Sequence, residues 1–239
     1  KRTPYLWFFD RDGSNPRKKA PQNIFTENDI YTVAMPDGDR DLRLEHGFSG
    51  LERKFSELRD HRLDGKQWPT ADEMVCLLAF VAIARLRTPT FRDVQREKWS
   101  NVLGWMDDMK RGFEAATPAE REAMASMPRL GQEGPGLTME QVEQMRDHPI
   151  QMAVAPMLKA SLDRFFQMEV AILCTDDPVG FVTGDQPCVW SDPEVYRRPP
   201  VYRGLGLASK SIEVTMPISP TQCLLITHSP HMRGYIDLD

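Results

Sequence analysis

No run of apolar residues in this chain reaches the eighteen or so that a membrane-crossing helix requires. The longest, residues 74–84, has the length of a buried helix. No leader with a basic start and an apolar middle is visible. Cysteine is scarce: Cys76, Cys174, Cys188 and Cys223 are the whole set, and none forms a Cys-x-x-Cys pair. That spacing argues against a zinc ribbon or a thioredoxin-type site. Each cysteine stands in an apolar run, where a thiol acts as a small hydrophobe. Unpaired thiols of this kind suit a reducing, cytoplasmic compartment. Excess positive charge is also missing. The formal net charge is −5 and the pI about 5.6, unlike a protein that coats nucleic acid through phosphate contacts, although a local basic cleft remains compatible. There is no Gly-x-x-x-x-Gly-Lys-Ser/Thr loop, no Gly-x-Ser-x-Gly elbow and no His-Glu-x-x-His.

What is present is the composition of a folded protein. An apolar share of 41% against 27% charged residues is enough to build a core and too little charge for disorder. The length of 239 residues fits one domain, or at most two. Residues 1–40 hold short aromatic and β-branched segments, read as a strand at 5–9 and a second strand or an extended segment at 24–33, with the basic run Arg17-Lys-Lys19 as a solvated loop. From Asp41 the period changes. Leu44, Phe48, Leu51, Phe55 and Leu58 recur every three or four residues, the mark of an amphipathic helix. Thr70-Ala-Asp-Glu73 is a capping box that opens a helix apolar nearly all round, residues 74–86. Thr88-Pro89 ends it, and a third helix covers about 90–113. Shorter helices are expected over 118–127 and 138–147, the latter opened by Thr138-Met-Glu-Gln141. A last helix spans 150–167, with a kink or early break at Pro156.

After residue 167 the segments 168–174, 180–183, 188–190, 211–216 and 222–227 read as short strands. Residues 193–206, with Arg197, Arg198 and Arg203, read as an exposed loop. The order predicts a single α+β domain over 1–239: strands in 1–40, a helical block in 41–167, and C-terminal strands in 168–239. The helical block should pack on a mostly antiparallel sheet formed largely by those last strands.

Several segments taken together resemble a known family. They are Tyr5-Leu-Trp-Phe, Asn23-Ile-Phe-Thr-Glu-Asn-Asp-Ile-Tyr31, Leu44-Glu45 with Leu51-Glu52, Arg87-Thr-Pro89, Phe181-Val-Thr-Gly-Asp-Gln-Pro187 and Met216-Pro-Ile-Ser-Pro220. In this order they resemble the uncharacterised bacterial family called domain of unknown function 4238, over nearly the whole chain. That family usually has Ser-Asp-Asn-Pro where this chain has Gly184-Asp-Gln-Pro187. The resemblance therefore favours a role for the Asp185 carboxylate over one for its neighbours. It also implies an effector role, because some members sit with phage-defence or toxin-like loci.

The residues themselves offer one constellation. Glu45 and Glu52 are two helical turns apart, so both can project from one face, with Cα atoms roughly 10.5 Å apart. That distance calls for further groups if one small ion is to be held; a solvated helix face is the plain alternative. Asp185 follows an apolar segment and precedes Pro187, so it can point into a cleft or fold back on its own turn. Arg87 lies at the helix break, where its forked guanidinium can clamp a phosphate or a carboxylate, or pair with Glu45 or Glu52. Glu27, beside Asn28 and Asp29, is a further ligand or a turn residue.

Two functions follow. In the first, Glu45, Glu52, Asp185 and Glu27 bind Mg²⁺ or Mn²⁺ and Arg87 stabilises charge, giving metal-dependent hydrolysis of a phosphodiester in a nucleic acid or nucleotide. In the second, the same charges form a structural network in a non-enzymatic binding or regulatory module. Its partner protein meets the loop Tyr196-Arg-Arg-Pro-Pro-Val-Tyr-Arg203, whose interleaved arginines and aromatics also suit single-stranded nucleic acid.

Overall fold

The computed structural model describes residues 5–10, 12–20, 24, 31–34, 39–126, 136–200, 203–204 and 206–238. The chain divides into two compact units, Lys1–Glu45 and His46–Asp239, and the division falls in the first turn of a helix. Much of the segment expected as a second strand, including Glu27, Asn28 and Asp29, lies outside the described residues.

Among its described residues the first unit carries two small antiparallel ladders. β1 (Leu6–Phe8) pairs with β2 (Arg17–Lys19), and β3 (Val33–Ala34) with β4 (Arg40–Asp41). The basic run at 17–19 is therefore a strand and not a free loop. A turn makes it one: Gly13, at a positive φ of 80°, gives its N–H to the Asp10 carbonyl at 2.9 Å. Arg17 then reaches back to Asp10 at 2.7 Å.

The second unit is α+β, with helices packed on a five-stranded sheet. α1 (Arg43–Leu58) buries Phe48, Phe55 and Leu58, as its apolar spacing requires. It runs into a π-helical turn, Arg59–Leu63. α2 (Ala71–Leu86) starts at the Thr70 capping box and buries Leu77, Leu78, Val81, Ala82, Ile83, Ala84 and Leu86. α3 (Pro89–Ala115) begins with Thr88 as N-cap and Pro89 in its first turn, where a missing N–H costs nothing. α4 (Pro118–Ser126), α5 (Met139–Asp147) and α6 (Pro149–Phe165) complete the block. α6 continues through Pro156 to Phe165 without the early break that proline suggests.

The sheet has the order β6-β7-β8-β5-β9, with β5 (Glu169–Cys174), β6 (Val189–Ser191), β7 (Glu213–Ser219), β8 (Gln222–Thr227) and β9 (Gly234–Asp237). All neighbours are antiparallel except β5 and β9. Ile172, Val214, Met216, Leu224 and Ile226 share one core with Phe55, Leu77, Val81 and Phe165. The connection from α1 to α2 is stapled to the sheet: Gln222 Nε2 donates to the Leu63 carbonyl at 2.8 Å, and the Tyr235 hydroxyl to that of Gln67 at 3.0 Å.

One expected strand is not there. Residues 181–183 form no ladder, and Val182 is 77% exposed. Gly180 sits at φ +67°, and a Cβ on it would run into the Pro220 carbonyl. Phe181 gives its N–H to that same carbonyl at 2.7 Å. The chain thus meets the sheet at the β7–β8 turn by one bond and then leaves it. β-branched residues fit a strand only where a neighbouring strand accepts them.

Gly180→Ala should destabilise the protein by roughly 1–3 kcal/mol, through the strained backbone and the clash; a denaturant midpoint equal to the parent's would contradict this. The four cysteines are free, and three are buried. Burial pushes the thiols of Cys188 and Cys223 up to about 11. Alkylation of the folded protein should reach Cys76 first and the others only on unfolding. A two-proton mass increase after reduction would show that a disulfide had been present.

Candidate functional site

The break between α2 and α3 collects most of the charged residues singled out from the sequence. α1 and α2 meet through two side-chain contacts: Phe55 stacks on Phe80 with ring centroids 3.9 Å apart, and Glu52, one turn earlier, meets Arg87, two turns later. Arg87 Nη1 donates to Glu52 Oε1. Their side chains are 26% and 48% exposed, so the pair sits at the rim of the core. Arg87 is also the C-cap of α2, its N–H bonded to the Ile83 carbonyl at 3.0 Å. A cation there is favoured by the partial negative charge at a helix C-terminus.

Asp185 comes to the same break by way of its neighbour. Gln186 Nε2 donates to Thr90 Oγ1 at 2.9 Å, tying the 184–187 turn to the first turn of α3. Asp185 itself is exposed. Glu45 is exposed in the first turn of α1, within the first unit. Glu27 lies outside the described residues. Among the described residues no three His, Cys, Asp or Glu side chains are placed to hold a metal ion. The structure therefore joins Glu52 to Arg87 directly and brings the turn bearing Asp185 to the residues that follow them.

The same turn continues into a second cluster that the sequence did not announce. Arg85 lies over the Trp190 indole, its guanidinium carbon 4.0 Å from the ring centroid. Burial pulls its pKa down, and the ring face supplies the favourable contact for the cation. Two residues beyond Trp190, the Asp192 carboxylate is fully buried. It accepts from Ser211 Oγ at 2.7 Å, Ser209 Oγ at 2.7 Å, Arg198 Nη2 at 2.6 Å and the Glu194 N–H at 3.0 Å. These donors, the Ser211 hydroxyl first, hold its pKa down at about 2.

The arginine-rich loop is consequently folded upon itself. Arg198 is committed to Asp192, Arg197 pairs with Glu194 at 2.6 Å, and Arg203 donates to the Arg198 carbonyl at 3.1 Å. Tyr196 stays 80% exposed on its surface. The partners of Asp192 stand up to nineteen residues away, so no local pattern marks it.

At the other end of α2, Glu73 is held at about 2, chiefly by Arg62 and then by the Thr70 groups. Both carboxylates have folded pKa values below those of the unfolded chain, about 4. Their stabilisation is complete above that value and is lost as pH falls through about 2. Asp192→Asn should lower Tm at neutral pH and flatten the fall of Tm between about pH 4 and pH 2, leaving the part due to Glu73. A variant whose acid melting curve runs parallel to the parent's would refute this role for Asp192.

No curated protein and no solved structure matches the chain. One protein family does, over residues 2–237, which is nearly the full length. The segments spread from Tyr5 to Pro220 are thus parts of one family pattern, and the chain belongs to the family described as protein of unknown function, DUF4238.

Proposed function

We propose that this chain is a binding or regulatory module of the cytoplasm in which Glu52 and Arg87 form a structural charge network. The observation that carries the reading is their direct ion pair. A guanidinium whose charge is answered by a carboxylate on the neighbouring helix serves α1–α2 packing first. It is a poorer clamp for an incoming phosphate, which would have to displace that carboxylate. The folded loop around Asp192 fits the same reading. A loop held by a buried carboxylate loses little entropy when Tyr196 meets a partner protein.

A second reading is favoured by one specific contact. The Gln186–Thr90 bond brings the turn of Asp185 to the break that carries Arg87. In that reading the chain is a metal-dependent phosphodiesterase or nuclease-like effector in phage defence. Asp185 and Glu52 would be carboxylates for Mg²⁺ or Mn²⁺, with Arg87 balancing charge on the phosphate.

Three variants separate the two. As a structural network, Glu52→Gln should cost about 1 kcal/mol, since the pair is partly exposed. That corresponds to roughly 2–4 °C in Tm. Arg87→Gln should lower Tm as well, and Asp185→Asn should leave it nearly unchanged. The parent protein should show no Mg²⁺- or Mn²⁺-dependent cleavage of oligonucleotides or of bis(p-nitrophenyl) phosphate. Metal-dependent turnover that Asp185→Asn abolishes without a change in Tm would overturn the module and establish the hydrolase.

A further inference from the structure

The ribbon of β1 and β2 sets an aromatic row against a basic one. Its register is Leu6↔Lys19, Trp7↔Lys18 and Phe8↔Arg17. Strand alternation sends Trp7 and Lys18 to one face, with Tyr5 and Phe9 flanking Trp7 on that same face. Tyr5, Trp7 and Phe9 are 62%, 61% and 52% exposed. Lys18 Nζ stands 5.0 Å from the Trp7 ring centroid. On the other face Lys19 Nζ stands 4.6 Å from the Phe8 centroid. Arg17 is answered by Asp10 at 2.7 Å. The contacts of the two lysines among the described residues are with rings, and neither has a carboxylate there.

We propose that the face of this ribbon bearing Trp7 binds single-stranded nucleic acid, with bases on Tyr5, Trp7 and Phe9 and a phosphate at Lys18 beside them. Three exposed rings in one row are costly to leave in water, and every base offers a flat apolar face to cover them. Successive residues on one face of an antiparallel strand are about 6.8 Å apart, twice the roughly 3.4 Å rise between stacked bases. Lys18, the cation on the aromatic face, selects among apolar partners, because it adds attraction for an anionic one. The chain as a whole carries a charge of −5, so a polyanion has little reason to settle elsewhere on it and the attraction must be local. A duplex hides its base faces and would lose the stacking part of the contact. None of these residues belongs to the α2–α3 break, so the inference stands apart from the module and hydrolase readings.

The test uses the full chain and a fluorescein-labelled dT12 in low salt, read by anisotropy and by quenching of tryptophan fluorescence. Saturable binding is expected, weakening as salt rises and weaker for a duplex of the same length. Trp7→Ala should weaken it roughly 5- to 100-fold, the range seen when one stacked ring is lost. Lys18→Gln, which keeps the rings, should weaken it less and reduce the salt dependence. Melting curves for both variants should match the parent, because the altered side chains are exposed. Binding that ignores Trp7→Ala, or no saturable binding to dT12, would overturn the proposal. So would a Trp7-dependent dimer in sedimentation, or a Trp7-dependent association with anionic vesicles, without oligonucleotide binding.

Discussion

The structure of residues 46–239 turns on a helix that has no polar side. α2 buries Leu77 and Leu78, then Val81 to Ala84, then Leu86, positions that run right round its circumference. Such a helix is stable only if it is covered all round. α1 covers it through the Phe55–Phe80 stack. The residues of the central strands and Phe165, at the end of α6, close the same core. Each large side chain buried there contributes roughly 1.5–3 kcal/mol relative to exposure. The layers of the fold are thus the answer to one sequence feature, and what varies is where α2 is allowed to stop.

It stops where polar groups have gathered. The N-terminal end carries Thr70, Glu73 and Arg62; the C-terminal end carries Arg85, Arg87 and the Thr88-Pro89 break. Those ends are where charges can be tied to neighbouring elements without entering the core. Three cations show two ways of doing so, an ion pair and a ring face. Arg62 meets Glu73 at 2.6 Å, Arg87 meets Glu52, and Arg85 meets the face of Trp190. A cation on a ring needs no carboxylate of its own, although burial pulls the pKa of Arg85 down from its ordinary value.

How much of this was legible in the sequence follows from how local each cause is. The helices and both capping boxes could be read because their signals lie within a few residues: Thr70 with Glu73, Thr138 with Gln141, and the spacing of Leu44, Phe48, Leu51, Phe55 and Leu58. The α+β segregation and β5 and β8 were readable as apolar runs of strand length. The rest depends on partners distant in sequence. Residues 181–183 have the composition of a strand but no neighbour to pair with. β2 and β9 lack that composition, yet each is held by a neighbour, β1 and β5 respectively. The Asp192 cluster needs two serines and an arginine brought together by the fold of the 192–211 segment. At the site, the choice between Glu45 and Glu52 as the partner of Arg87 turned on which turn of α1 faces the end of α2. The Phe55–Phe80 stack decides it in favour of Glu52.

The Gly184-Asp-Gln-Pro187 turn can be read in the same physical terms. Here position 186 is glutamine, and its amide spans the gap to Thr90 Oγ1 at 2.9 Å. From the same backbone an asparagine would be one methylene shorter, so this bond depends on the longer side chain. Gly184 stands in open surroundings with nothing near the place a Cβ would take except the Gln186 N–H group. The turn thus needs no side chain at 184 and depends on the one at 186 for its place on the α2–α3 break. Asp185 stays exposed between them, at a position set by its neighbour and not by a bond of its own. The charge-bearing residue and the positioning residue are separate in this turn.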